Sequence, residues 1–307
     1  MAVNVLPIIL IHNGNSWYLP YTIFQLKKSN PNTPIYLIGD NTTNHYRALL
    51  KHIPISSYEH STNLLNSVYF HKSSLGKDFE FPCISRWFIL HAFMKEQSLS
   101  RCVYLDSDIL VYSNLTEAQA RFPYHGMTWA GFSAHNNFIA DLGILEKFTN
   151  NIIDLYTNQF PEELLEKSLF HKIVTNKSKM NISDMTFFHD FNIRYPKTLL
   201  DISQPTMQGT FDRSIEDTRG YIGTKDGFKH VIWKSNQPFC IEIEQQREIP
   251  FCTLHFQGRG KQVLKAHFKA FSFSFFLFKT YNDFVILLSK LLNKLTPIVK
   301  SFRISSK

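Results

Sequence analysis

The sequence predicts an α/β fold: a doubly wound, mostly parallel sheet with a small antiparallel portion and a C-terminal helical extension. Three observations carry this. The first forty residues make two strand–helix steps, from Leu6 to Ile11 and again from Pro34 to Gly39. The run Cys102-Val-Tyr-Leu-Asp-Ser-Asp-Ile-Leu-Val-Tyr112 has the composition of a strand covered on both faces. Residues 200–250 break into strand-like pieces between Gly209, Gly220, Gly223 and Gly227, which suits a smaller, partly antiparallel lobe.

His12-Asn13-Gly14-Asn15 ends the first strand, and Trp17 to Lys28 follows with helical spacing until Asn30-Pro31-Asn32 stops it. The second strand finishes in Gly39-Asp40-Asn41. Ligands of doubly wound sheets bind beyond the carboxyl ends of the strands. Asn13 and Asp40 are therefore either contacts for a base or ribose, or ordinary turn residues. No GxGxxG follows the first strand and no GxxxxGK[ST] occurs, so neither the dinucleotide fingerprint nor a P-loop is present. A helix, a connection and a short strand at Ile53 to Tyr58 are expected within residues 41–60.

Ile84 to Gln97 reads as a helix with a Trp87, Leu90, Met94 stripe and Arg86 in its first turn. A cation there opposes the helix dipole, so Arg86 has an anionic partner or is solvated. An amphipathic helix from Leu142 to Phe160 and a short one from Phe160 to Leu169 come next. The stretch from Asn181 to Phe188 looks like a helix entry, with Ser183 or Asp184 as cap. Asp184 is either that cap or a carboxylate facing a substrate.

With 307 residues, 44% hydrophobic and 19% charged, the chain has the composition of a soluble globular protein of one or two domains. Lys and Arg exceed Asp and Glu by 33 to 25, which favours anionic partners. No basic stripe interleaved with aromatics accompanies a nucleic-acid reading motif, so nucleic acid is not expected. The four cysteines form no CxxC pair, which argues against a zinc site or disulfide framework and for a reducing, cytoplasmic setting. The apolar run Val5 to Ile11 lacks a basic n-region and reads as a core strand rather than a signal peptide. No apolar stretch reaches the roughly 18–20 residues of a membrane span.

Two segments carry chemistry. Desolvating two like charges is costly, so Asp106 and Asp108 in the middle of an apolar run call for an explanation. Residues two apart in an extended segment share a side, where a divalent cation would relieve their repulsion. The alternative is a polar turn with both solvated. In Phe251-Cys-Thr-Leu-His-Phe-Gln-Gly-Arg-Gly-Lys261, a second apolar strand delivers His255 ahead of a glycine-containing loop and a lysine. Two carboxylates, an imidazole and phosphate oxygens suit Mn²⁺ or Mg²⁺, with the imidazole favouring Mn²⁺.

Leu105-Asp106-Ser107-Asp108 resembles the DxD motif of GT-A fold glycosyltransferases, and His255-x-x-Gly258-x-x-Lys261 matches the HxxGxxK motif of glycosyltransferase family 8. The two stand about 150 residues apart and the resemblance covers roughly residues 5–262. It implies that Asp106, Asp108 and His255 bind the metal bridging a sugar nucleotide's diphosphate. It assigns the phosphates to Gly258 and Lys261, donor contacts to Arg86 and Ser107, and the nucleoside's neighbourhood to Asn13 and Asp40. Asp184 is placed to face the transferred or accepting sugar, and Asp106, Asp108, Asp184 and Lys261 form the implied catalytic set. The implied activity is metal-dependent transfer of a hexose from a UDP-sugar to a saccharide or lipid-linked acceptor, with retention at the anomeric carbon. Inversion would instead ask Asp184 or Asp190 to deprotonate the acceptor. The family's first strand is often richer in acids than His12-Asn13-Gly14-Asn15, which leaves the nucleoside open.

Two rivals stand beside this. Haloacid-dehalogenase-like phosphatases also carry DxD after an apolar strand, usually the first, with Thr or Val where this chain has Leu110. A catalytically inactive sugar-nucleotide-binding protein would keep the same fold. The domain division expected is a catalytic unit over 1–262 and a basic amphipathic extension over 263–307. In that extension, phenylalanines crowd Phe268 to Phe278, and Val285 to Leu295 has helical spacing with lysines opposite. Such a segment either lies on an anionic membrane surface, peripheral at the inner membrane, or packs on the catalytic lobe or a dimer partner.

Overall fold

The computed structural model describes residues 5–121, 126–131, 133–158 and 182–304, with backbone alone at 293 and 295–304. The first half of the chain forms β1 (Ile8–His12), α1 (Leu19–Ser29), β2 (Ile35–Gly39), β3 (Lys51–Pro54), α2 (Asn63–Val68), α3 (Lys77–Glu96), β4 (Cys102–Leu105), β5 (Ile109–Val111) and α4 (Leu115–Gln119). Then come β6 (Met127–Trp129), β7 (Asn136–Ile139), α5 (Leu142–Thr157), α6 (Asp184–Arg194), β8 (Leu199–Asp201) and β9 (Thr210–Phe211). The chain continues through β10 (Ile232–Lys234), β11 (Gln237–Glu242), β12 (Arg247–His255), α7 (Leu264–His267) and α8 (Phe273–Ile304).

One five-stranded sheet runs β3-β2-β1-β4-β7; the first four strands are parallel and β7 is antiparallel to β4. Strand residues alternate between two cores, as period-two geometry requires. Ile9 and Tyr104 pack with Trp87, Phe148 and Phe188 from α3, α5 and α6. Ile8, Leu10, Val103 and Leu105 pack on Leu19, Ile23 and Leu26 of α1. Helices thus cover both faces, which is why the strands are apolar throughout. A second sheet, β10-β11-β12-β5, is antiparallel, with β9 alongside β12, and β6 pairs β8. Strand order reverses between β1 and β4, and the crevice beyond their carboxyl ends is where such sheets bind ligands.

Several expectations need correction. The run Cys102 to Tyr112 is two strands in different sheets, and Asp106–Asp108 is the turn between them. The apolar residues resume because β5 enters the second sheet, where Leu110 joins Leu254 and Phe256. The two aspartates therefore converge through a turn, and strand periodicity is not the cause. The helix α3 begins seven residues before the expected Ile84 and contains Pro82. Asp78 and Glu80 in its first turn offset the dipole, and Arg86 lies well inside it. Between β2 and α2 the short strand comes at Lys51–Pro54, and 3₁₀ helices occupy Asn41–Ala48 and Ile55–Thr62. The helix expected over Leu142 to Phe160 is described to Thr157; the one expected over Phe160 to Leu169 lies outside the described residues.

Trp87 ties these layers together. It is fully buried, with ring centroids 5.1 Å from Tyr104, 5.7 Å from Phe148 and 5.0 Å from Phe188. Trp87→Ala is expected to cost about 3–5 kcal/mol through lost contacts and the cavity left behind. A lowered urea midpoint at unchanged m-value is the measurement; an unchanged midpoint would show that α3 is not held through this ring.

Candidate active site

Asp106 follows the last residue of β4, and its amide donates to the His135 carbonyl at 2.9 Å. Its Oδ1 accepts from Arg86 Nη1 (2.6 Å) and from the Tyr104 hydroxyl (2.7 Å). Oδ2 takes no hydrogen bond among the described residues. Arg86 Nη1 also donates to the Tyr104 oxygen at 3.0 Å, and Nη2 donates to Asp184 Oδ2 at 2.5 Å. The guanidinium therefore bridges two carboxylates. Burial works against its charge, but Asp106, Tyr104 and Asp184 raise its pKa well above the usual value. Of the two readings of Arg86, the anionic-partner one holds, and the partners are side chains rather than solvent.

Asp108 lies two residues on and is held by a different set. Lys261 Nζ is 2.6 Å from its Oδ2 and His255 Nε2 is 3.4 Å from its Oδ1. Burial alone would raise the Asp108 pKa; His255 and Lys261 outweigh it and hold the carboxyl far below the usual range. His255 closes β12, opposite Ile109 of β5, so the strand pairing sets the imidazole beside Asp108. The Phe256 amide donating to the Asp108 carbonyl at 2.9 Å locks the junction.

The tautomer of His255 follows from its partners. Nδ1 lies 2.9 Å from the Arg213 carbonyl, which can only accept, so Nδ1 carries hydrogen and the neutral ring leaves the Nε2 lone pair toward Asp108. That is the state a metal requires. One ligand atom each from Asp106, Asp108 and His255 lie within 4.8 Å of one another. The donor set, two hard carboxylates and one imidazole with its lone pair free, fits Mn²⁺ or Mg²⁺. Burial would lower the His255 pKa, but its hydrogen bond to Asp108 and that group's charge raise it. A metal at Nε2 thus competes with a proton.

Of the remaining predicted residues, Ser107 is turned toward β1: its Oγ is 2.8 Å from His12 Nδ1. Burial lowers the His12 pKa, so the ring is neutral, and its buried Nε2 has no partner among the described residues. Asp184 is the first residue of α6, with Ser183 in the N-cap position, and its carboxylate goes to Arg86. Gly258, at φ +54° in the left-handed region where side chains are strained, opens the 3₁₀ helix Gly258–Val263 that carries Lys261. Asp40 Oδ2 accepts from the Gly14 amide at 2.7 Å, and its Oδ1 accepts from the Thr42 amide and hydroxyl. It fixes the loop after β1 while Asn13 stays exposed. Asp190 is committed elsewhere, to Asn151 (2.8 Å) and Arg194 (2.9 Å).

Sequence reasoning missed the support behind these groups. Asp212 and Lys229 form a fully buried ion pair at 2.8 Å. The other oxygen of Asp212 accepts from the His255 amide at 3.0 Å, and its carbonyl lies 2.8 Å from His135 Nε2. His135 stacks on His255 with centroids 3.9 Å apart, and burial pushes its pKa well below the ordinary value. Asp212 and Arg213 thus grip His255 by its amide, its Nδ1 and the ring stacked on it. Glu216 does the same for the lysine loop, accepting from the Gly260 amide at 2.7 Å. No motif marks these residues. Tyr104, in β4 two residues before Asp106, was the one partner that spacing could have revealed.

Asp212→Asn, which weakens the pull on Lys229 and on the His255 amide, is expected to lower Mn²⁺ affinity about ten- to a hundredfold. Electron paramagnetic resonance titration of free Mn²⁺, well below the unfolding midpoint, measures it. An unchanged dissociation constant would limit Asp212 to a role in stability.

No protein-family model and no curated protein matches the chain. Among solved structures it is similar to mouse xyloside xylosyltransferase 1 in its apo form, at 10% identity and TM-score 0.42, over 64% of this chain and 85% of that one. It is similar to an active-site mutant of LgtC at 11% identity and TM-score 0.41, over 85% and 95%. It is also similar to a glycosyltransferase involved in glycosylation of the major capsid of PBCV-1, at 11% identity and TM-score 0.38, over 85% and 99%.

Proposed function

We propose that this chain is a metal-dependent glycosyltransferase that moves a sugar from a nucleoside-diphosphate sugar to a saccharide or lipid-linked acceptor. One observation carries the reading. The DxD turn and the strand–loop about 150 residues later meet, with Asp106, Asp108 and His255 ligand atoms within 4.8 Å and Lys261 at 2.6 Å from Asp108. UDP as the nucleotide, Mn²⁺ as the ion and retention at the anomeric carbon rest on the motif resemblance.

In the reaction, the bond between the anomeric carbon and the diphosphate oxygen breaks, and the diphosphate leaves with its electron pair. The acceptor oxygen bonds the anomeric carbon and passes its proton to the departing diphosphate oxygen, which needs no protein base under the retaining reading. Asp106, Asp108 and His255 would hold a divalent ion, which would supply positive charge to the diphosphate. Lys261 supplies the second charge, at the place where negative charge develops on the leaving group. Arg86 fixes Asp106 on one side and Asp184 on the other, so the donor-side and sugar-side carboxylates keep a set spacing. Asp184 accepts a hydroxyl hydrogen of the sugar. Asp190 drops out as an acceptor base because both its oxygens are used within the fold.

Incubated with UDP-sugars, the protein is expected to release UDP in the presence of Mn²⁺ and not in the presence of chelator. Asp108→Ala should abolish this, and Lys261→Ala should lower kcat about a hundredfold, the loss of one group aimed at the leaving charge. Metal-dependent hydrolysis of simple phosphomonoesters, lost in Asp106→Asn, would instead make the chain a phosphatase. Tight binding of a UDP-sugar without turnover would make it an inactive binding protein.

A further inference from the structure

The chain's positive charge is unevenly spread. Residues 264–307 hold eight Lys and Arg against one acid, Asp283, out of totals of 33 and 25. The preceding 263 residues therefore hold 25 against 24, and nearly the whole net charge of +8 sits on the last segment.

Residues 264–270 are anchored in the protein, with Leu264, Phe268 and Ala270 buried beside the second sheet; beyond them, the contacts come from one face of α8. Phe275, 4% exposed, packs on Tyr21 and Phe268, and Phe278 packs on Tyr46. Asn282 is fully buried, with its Oδ1 accepting from the Tyr46 hydroxyl at 3.0 Å and 2.8 Å from His45 Nε2. Residues 275, 278 and 282 lie on one side at helical spacing. At about 100° per residue, Phe273, Phe276, Phe284, Leu287, Leu288 and Leu291 fall on the opposite side. All six are exposed, between 44% and 77%. Lys290 and Lys294 border this apolar face and are exposed. An exposed apolar stripe with lysines along one edge marks a contact surface.

We propose that α8 lies in the plane of an anionic lipid surface, burying the Phe273-to-Leu291 face among the acyl chains and setting Lys290 and Lys294 against the headgroup phosphates. Three observations select this occupant. The lysine-rich border complements negative headgroups. A second copy of the chain would bring its own eight basic residues against these eight. No helix among the described residues is long and apolar enough to cross a membrane, so the helix lies along the surface. The inference stands apart from the proposed reaction and does not need it.

The test is cosedimentation of the full chain with vesicles of phosphatidylcholine alone and of phosphatidylcholine with phosphatidylglycerol. The protein should partition onto the anionic vesicles and come off as salt rises from about 0.1 to 0.5 M, as screening predicts. The triple variant Phe276→Ser, Phe284→Ser, Leu288→Ser should lose more than about tenfold in partition coefficient. Lys290→Glu with Lys294→Glu should lose about fivefold per site on anionic vesicles and little on neutral ones. All five side chains are exposed, so an unchanged urea midpoint confirms that the fold is kept. Failure to sediment with either vesicle, or equal partition of the triple variant, would overturn the proposal. So would a concentration-dependent dimer that the triple variant abolishes, which would assign the face to a second copy.

Discussion

Two carboxylates in one turn, Asp106 and Asp108, are the constraint that the surrounding structure answers. Together they would be unfavourable in a half-buried turn without compensating positive charge. The fold provides it from two directions, Arg86 from α3 onto Asp106 and Lys261 from the loop after β12 onto Asp108, with the His255 imidazole set beside Asp108 from the end of β12. Each carboxylate has its own cation, and both retain reach toward the space between them. An arrangement built only for stability would pair these charges fully or replace them with apolar residues, since buried ion pairs return little net stability. Leaving an oxygen of Asp106 and a lone pair of His255 open is the signature of a binding site.

The two sheets explain how such a turn can be rigid. β4 ends in the parallel sheet and β5 begins the antiparallel one, so Asp106–Asp108 is fixed at both ends by different ladders. Hydrogen bonds from the Asp106 amide to His135 and from the Phe256 amide to Asp108 close the junction. Because β12 pairs with β5, any shift of its register would carry His255 away from Asp108 and turn alternate side chains to the other face. The buried Asp212–Lys229 pair resists that shift by holding the His255 amide. The geometry of the Asp106, Asp108, His255 cluster and the sheet register are thus one constraint.

Much of this was legible in the sequence, because apolar strands ending in Asp, His and Lys are conspicuous: a carboxylate within Cys102–Tyr112 has no apolar rationale. The α/β class was legible for the same reason, since strands covered on both faces are apolar throughout. The sheet change at Asp106–Asp108 was not, because both strands are apolar and composition does not tell one sheet from another. Arg86 was placed in a first turn because the apolar stripe of Trp87, Leu90 and Met94 marks only the later part of the helix, whereas α3 starts at Lys77, and the arginine's partners come from β4, the turn after it and α6. Asp212, Lys229, His135 and Glu216 left no trace, since they act through contacts distant in sequence and none has periodic spacing.

The position of Arg86 links the two halves of the proposed chemistry. Its guanidinium has five donors in a fixed plane, and two of them are spent on carboxylates from different elements, Asp106 after β4 and Asp184 at the start of α6. A lysine could neutralise either acid but could not hold both at a set separation. The helix that carries it is anchored next door by Trp87, whose ring packs on Tyr104 of β4 and on Phe188 of α6, the same two elements that the guanidinium spans. Apolar packing and charge pairing therefore fix the same three-element distance. Either alone would let α6 drift, and with it Asp184, the carboxylate that stands outside the Asp106, Asp108, His255 cluster.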